Sequence, residues 1–200
     1  MTEQEFEEIL SFGHELRGVE FKGPGGRSDR QFFSKVVRAV LGMSNRRDGG
    51  LVIVGVSDDS GVLCPIGLTA SDLATWKYDD VADGLASYAD PSVTFDLEIV
   101  QYNGGNYVVL RVGEFEEVPV LCKKPYPDVL RQGACYVRSR RKPETSEIPS
   151  QEDMRDLVEL ATEKRLRRFV SQAQAAGVSL SAARPATDEQ LFDKELDDLK

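Results

Sequence analysis

The stretch SNRRDGGLVIVGVSDDSG (residues 44–61) opens on a turn, Asn45 to Gly50, and then runs Leu-Val-Ile-Val-Gly-Val before reaching Ser57-Asp58. An extended segment that is apolar on both faces has no face to give to water. Residues 51–58 therefore read as a central strand of a sheet covered on both sides. Asp59-Ser60-Gly61 ends it in a tight turn.

The covering elements lie on either side in sequence. Upstream, Phe32, Phe33, Val36, Val37, Val40 and Leu41 repeat at helical spacing and predict a helix over 30–46, capped by Asp29 or Ser28. The glycine-rich GPGGRSD (23–29) is a loop before it, and Val19–Lys22 is a strand before that. Thr2 can cap a short acidic helix over 2–11 whose Phe6, Ile9 and Leu10 share one face. Downstream, residues 70–89 form a helix with Leu73, Trp76, Val81, Leu85 and Tyr88 inward. Strands at 93–102 and 106–112 are joined by Asn103-Gly104-Gly105, a hairpin signal. Two shorter strands fit at 117–122 and 134–139. Ser150 with Asp153 forms a capping box for a long helix over 151–175. Beyond Gly177 come Ser, Ala and Pro, then an acidic amphipathic end at 188–200. The pattern is α+β, a mixed sheet with flanking helices and a C-terminal helical extension. The expected division is a domain at 1–150, then a helix and acidic tail at 151–200.

Two hundred residues, 40% of them hydrophobic, can build a real core. No apolar run approaches the roughly 20 residues that span a bilayer, and MTEQEFEEIL is too acidic for a secretory signal. A soluble, cytoplasmic protein without membrane partners is expected. Cys64, Cys122 and Cys135 are widely spaced, with His14 the one histidine, so they read as reduced thiols rather than a disulfide framework or a zinc site. The net charge is −9, but it is unevenly spread. Residues 15–47 carry a net +5 and residues 123–142 a net +6. Local field, not the chain sum, steers a polyanion. Such clusters are also common as plain solvated faces. No G-x-x-x-x-G-K-[ST] occurs to cradle a nucleotide, and His14 has no Ser or Cys motif to serve.

Four features in order carry a family resemblance. GHELRGVEFKG (13–23) sets Glu15 five residues before Glu20 inside a V-E-F-K strand. SNRRDGGLVIVGVSDDSG follows a helix, and Asp90-Pro91 precedes the central hairpin. GACYVRSRRKPETSEIP (133–149) is a basic strand entering a polar loop. Over roughly residues 13–150 the chain resembles the Schlafen core, whose bacterial form is the AlbA-type, Schlafen-like nucleic-acid-binding domain. It departs from that pattern in placing Asn45 four residues before Gly49. It departs again in having Arg138-Ser139-Arg140-Arg141 where small polar residues are usual. The zinc positions of some animal members have no match.

In catalytically active Schlafens, two Glu and one Asp at the corresponding motif positions form a nuclease centre acting on RNA. The resemblance places that role on Glu15, Glu20 and Asp58. Five positions apart, the two glutamates converge only if the chain bends, and Gly18 permits a bend. Asp58, leaving the central strand, could reach the same site. Three carboxylates in one cleft need a cation, and oxygen donors select Mg2+ or Mn2+, which could activate water against a phosphodiester. Glu20 and Lys22 equally fit a solvent-facing strand pair, and Asp58-Asp59 the start of an ordinary turn. Lys22, Arg27, Arg30, Lys123, Lys124, Arg138, Arg140, Arg141 and Lys142 are the expected nucleic-acid contacts.

The favoured reading is a divalent-metal-dependent endoribonuclease acting on structured RNA such as tRNA or rRNA, with RNA preferred over DNA. Its alternatives are a non-catalytic DNA- or RNA-binding regulatory module, and a protein-interaction module using the C-terminal extension. Animal Schlafen cores contain two related lobes. This chain carries one copy of the motifs, so the resemblance implies a homodimer. The helix at 151–175 offers it an apolar stripe, Met154, Leu157, Leu160, Leu166 and Val170, which fits packing on its own domain equally well.

Overall fold

The computed structural model describes residues 1–59, 61–139 and 143–178. The chain divides into two units, Met1–Thr162 and Glu163–Lys200. The predicted acidic end at 188–200 lies outside the described residues.

The first unit is built on a four-stranded sheet. Helix α1 (Glu3–Ser11) starts at Thr2, which with Glu5 forms a capping box, and buries Phe6. Strand β1 (Val19–Lys22) leads through the glycine-rich loop to α2 (Arg30–Ser44), capped by Asp29 through the backbone N–H groups of Gln31 and Phe32. Strand β2 (Gly50–Val54) pairs parallel with β1, the crossover being α2 itself. The hairpin β6 (Phe95–Tyr102) and β7 (Gly105–Val112) completes the sheet in the order β1-β2-β7-β6.

Both sheet faces are covered, as the apolar run required. Val52, Val54, Val108 and Leu110 face α2 and its Val36, Val37, Val40 and Leu41. Ile53 and Val109 face the other way, into a second cluster with Phe6, Val19, Phe21 and Tyr107. Val19 and Phe21 thus point to the α1 side. Glu20, level with Val52, shares the α2 side with Lys22, level with Val54.

The predicted strand over 51–58 breaks in two. Gly55 has φ +110, and its carbonyl accepts from the N–H of Ile66 and of Gly67. The chain therefore leaves the sheet three residues before Asp58 and forms a separate hairpin, β3 (Val56–Asp59) with β4 (Val62–Pro65). The predicted helix over 70–89 also breaks, into α3 (Ala70–Leu73) and α4 (Tyr78–Ala86). Between them Trp76 turns into the core beside Phe32 and Phe33 and donates its Nε1–H to the Gly25 carbonyl. Burying the indole outweighs continuing the helix. Four short strands pair outside the main sheet. Strand β5 (Ala89–Asp90) pairs with β8 (Leu121–Cys122), and β9 (Tyr136–Arg138) with β10 (Thr145–Glu147).

Helix α5 (Gln151–Ala175) begins at the Ser150–Asp153 cap and buries Asp153, Leu157 and Leu160 within the first unit. The predicted apolar stripe therefore splits. Leu157 and Leu160 are core, while Met154, Leu166 and Val170 are exposed. In the second unit the described residues run to Val178, with Leu166 and Phe169 exposed and Arg167 paired with Glu163. No helix among the described residues is long and apolar enough to cross a membrane.

Candidate functional site: a buried arginine between two glutamates

Glu15 and Glu20 come together, as the bend at Gly18 predicts, but a guanidinium joins them. Strand β9 delivers Arg138, whose side chain has no exposure at all. Its Nη1 donates to Glu20 Oε2 at 3.0 Å, and its Nη2 lies 3.4 Å from Glu15 Oε2. Nη2 also donates to the carbonyls of Leu16 (3.1 Å) and Val19 (2.8 Å). Arg138 thus holds the whole bend, residues 15–19, against β9.

The remaining oxygens of the pair are also engaged. Glu20 Oε1 accepts from Lys22 Nζ at 2.5 Å, and its Oε2 from the Thr145 hydroxyl at 2.5 Å. Glu15 Oε1 accepts from the Phe21 N–H at 2.9 Å. Thr145 reaches this position because α2 carries Gly42 opposite it; a Cβ on Gly42 would lie 2.6 Å from Thr145 Cγ2. Arg38 of α2 then donates its Nε–H to the Thr145 carbonyl at 3.1 Å. Burial pushes the Glu15 carboxyl above its ordinary range, with Glu20 adding to the rise, against the opposing Phe21 N–H and Arg138 charge.

Asp58 is not part of this group. It sits in the β3–β4 hairpin, where its Oδ1 accepts from the Gly61 N–H at 2.8 Å, an ordinary turn role. Among the described residues no three His, Cys, Asp or Glu side chains lie close enough to hold a metal ion. The donor set does not fit Mg2+ or Mn2+ in this arrangement. Both oxygens of Glu20 face cationic or hydroxyl donors, and the third carboxylate is elsewhere.

The expected nucleic-acid contacts sort into three kinds. Arg138 is corrected outright, because a guanidinium buried among carboxylates cannot touch solvent phosphate. Lys22 serves as the charge partner of Glu20. Arg30, Lys123 and Lys124 are exposed. Arg27 donates from Nε and Nη2 to the Asp80 carbonyl of α4 and covers the Phe33 ring, while Lys124 lies 5.6 Å from the Tyr88 ring just past the same helix. Arg27 thus lies along α4 and Lys124 just beyond its C-terminal end. Arg140, Arg141 and Lys142 lie outside the described residues.

Two further residues complete the frame. Asn45, at the end of α2, accepts from the Val120 N–H (2.8 Å) and donates to the carbonyls of Val120 (2.8 Å) and Tyr136 (2.9 Å). The motif asparagine is thus a clamp between α2 and the strands carrying Cys122 and Arg138. Thr145, the hydroxyl on Glu20, was missed because its partner lies 125 residues earlier. No short-range pattern signals such a contact.

A mixed sheet with a parallel β1–α2–β2 unit, and a β9–β10 arm reaching back to β1 through a buried arginine, defines an α+β domain of a known class. The chain belongs to the Schlafen, AlbA_2 family, whose model matches residues 15–146. Among curated proteins none matches the sequence. Among solved structures, the DIP2311 protein of Corynebacterium diphtheriae is similar with a TM-score of 0.51 at 18% identity, over 76% of this chain. This chain spans 27% of that protein, and the likeness is one of fold. The N-terminal domain of an ATP-dependent DNA helicase RecG-related protein of Nitrosomonas europaea aligns with a TM-score of 0.47 at 19% identity, over 76% of this chain and 98% of that one.

Proposed function

We propose that this Schlafen-family domain is a nucleic-acid-binding module, with RNA preferred over DNA, in which the Glu15–Arg138–Glu20 cluster is architectural. The observation that carries the reading is the cationic pair fastened to α4. Arg27 and Lys124 are each held by α4 or an aromatic ring beside it, with Arg30 and Lys123 exposed close to them in sequence. Cations held in place lose less freedom on meeting phosphates than freely moving ones do. Phosphate contacts of this kind give affinity and register without reading sequence.

A divalent-metal endoribonuclease acting through Glu15, Glu20 and Asp58 is the second reading, supported by the convergence of the two glutamates and by the family. It requires Lys22 and Arg138 to release Glu20. A homodimer through α5 is a separate proposal, supported by the exposed Met154, Val158, Leu166, Phe169 and Val170. Light scattering at micromolar concentration checks it, a monomeric mass counting against it.

Incubation with total tRNA and ribosomal RNA, with Mn2+ or with EDTA, separates the two functional readings. The binding module retards both RNAs in a gel and leaves them intact in either condition. Cleavage that needs Mn2+ and vanishes in Glu20→Gln would install the nuclease instead.

A further inference from the structure

A polar cleft of about 280 Å3 opens beside the buried cluster, between the 15–18 bend, the turn after α2, β9 and the start of α5. Its volume is on the order of nine water molecules, room for a phosphate group and some hydration. Arg17, Arg46 and Arg47 line it, and Asp48, Asp153, Asp156 and Glu159 also border it.

Arg46 is held rigidly. Its Nη1 donates to the carbonyls of Gly49 (2.5 Å) and Arg47 (3.0 Å). Its Nε is buried and, among the described residues, has no acceptor. A buried charged donor without a partner is costly, and native structures rarely keep one unless something fills it. Burial, then the charges of Arg17 and Arg138, hold the Arg46 guanidinium below its ordinary pKa, with Asp48 opposing them. Arg138 is balanced by Glu15 and Glu20. Among the described residues Arg17 pairs with Asp156 at 4.0 Å, the outer limit of an ion pair. The cleft therefore presents two guanidinium groups, that of Arg46 held by backbone carbonyls and that of Arg17 loosely matched.

We propose that Arg17 and Arg46 form a binding site for one phosphodiester of a nucleic-acid backbone, which Asp156 of α5 partly screens. The site rests on the nucleic-acid reading above. It differs from the α4 surface in taking a phosphate into a cleft rather than against a face. A phosphodiester carries one negative charge, which suits a pocket whose acids already neutralise part of its field. The phosphate oxygens would accept from the guanidinium groups of Arg46 and Arg17. Asp156 on Arg17 stands where that charge would come, so the acid lowers affinity.

The test uses the full chain, a labelled single-stranded RNA titrated at several salt concentrations, and inorganic phosphate as an independent probe by thermal shift. Arg46→Gln and Arg17→Gln should each weaken RNA binding about tenfold and flatten the salt slope by about 0.7. Asp156→Asn should tighten binding roughly threefold. Phosphate should raise the melting temperature of the wild type and not that of Arg46→Gln. Arg17 is exposed, so its variant reports on the site even if Arg46→Gln folds poorly. If both arginine variants keep wild-type RNA affinity, salt slope and phosphate response, the site is refuted while nucleic-acid binding stands. If the wild type binds no nucleic acid yet phosphate stabilises it through Arg46, the anion site stands and its phosphodiester ligand is refuted.

Discussion

Arg138 has its guanidinium surrounded by two carboxylates and the carbonyls of Leu16 and Val19, all inside the protein. Removing one partner of such a group leaves a buried charge uncompensated, which typically costs about 3–5 kcal/mol. Arg138→Met should lower the unfolding free energy by that order in urea melts. Adding Glu20→Gln to Arg138→Met should recover part of the loss, because the stranded charge is gone. A surface arginine would show neither effect. Glu15 gives a pH signature of its own. Its folded pKa is raised above the ordinary 4.5 chiefly by burial, so the folded state holds more protons than the unfolded one in the interval above 4.5. Stability therefore falls as pH rises through that interval. Glu15→Gln should remove that part of the slope in melts recorded across it. The convergence of Glu15 and Glu20 was legible in the sequence, from their spacing and Gly18. Their partner was not. Arg138 lies 118 residues beyond Glu20, and a run such as Arg138-Ser139-Arg140-Arg141 looks like a phosphate-binding loop until the fold turns one of its arginines inward.

At the scale of elements, the two-faced strand, its covering helix and the central hairpin follow from periodicity alone. The hydrophobic repeat of 30–46 and the Asn103-Gly104-Gly105 turn each encode local geometry. Where tertiary contacts decide, local pattern fails. Gly55 reads as one more residue of an apolar strand, yet at φ +110 it turns the chain out of the sheet and carries Asp58 away from the glutamates. Trp76 reads as part of a helix face, yet its indole ends α3 and docks on the Gly25 carbonyl. Asn45 reads as a turn residue, and its long-range role emerges only from the β8 and β9 strands it touches. Asn45→Ala leaves the Val120 N–H and two carbonyls without their partner. It should cost about 2–4 kcal/mol. Hydrogen exchange should speed up most around Val120 and Tyr136, and little in β6 and β7. Uniform loss of protection across the sheet would mean that Asn45 supports the whole core rather than the docking of these strands.

For the molecule as a whole, a chain of net charge −9 is read here as a polyanion binder because its cations are concentrated and, around α4, fixed. The family agrees with this reading. Substituting exposed lysines and arginines disturbs no buried group, so folding should be untouched while binding responds. The most direct measurement is the salt dependence of RNA affinity, by fluorescence anisotropy in EDTA, for the wild type and for Arg30→Ala/Lys123→Ala/Lys124→Ala. The account predicts that the wild type binds without added metal and that log affinity falls linearly with log salt. The triple variant should bind more weakly at low salt, with a slope shallower by about 2, near 0.7 for each lost contact. Affinity and slope identical to the wild type in the triple variant, or no binding by the wild type at any salt, would contradict it.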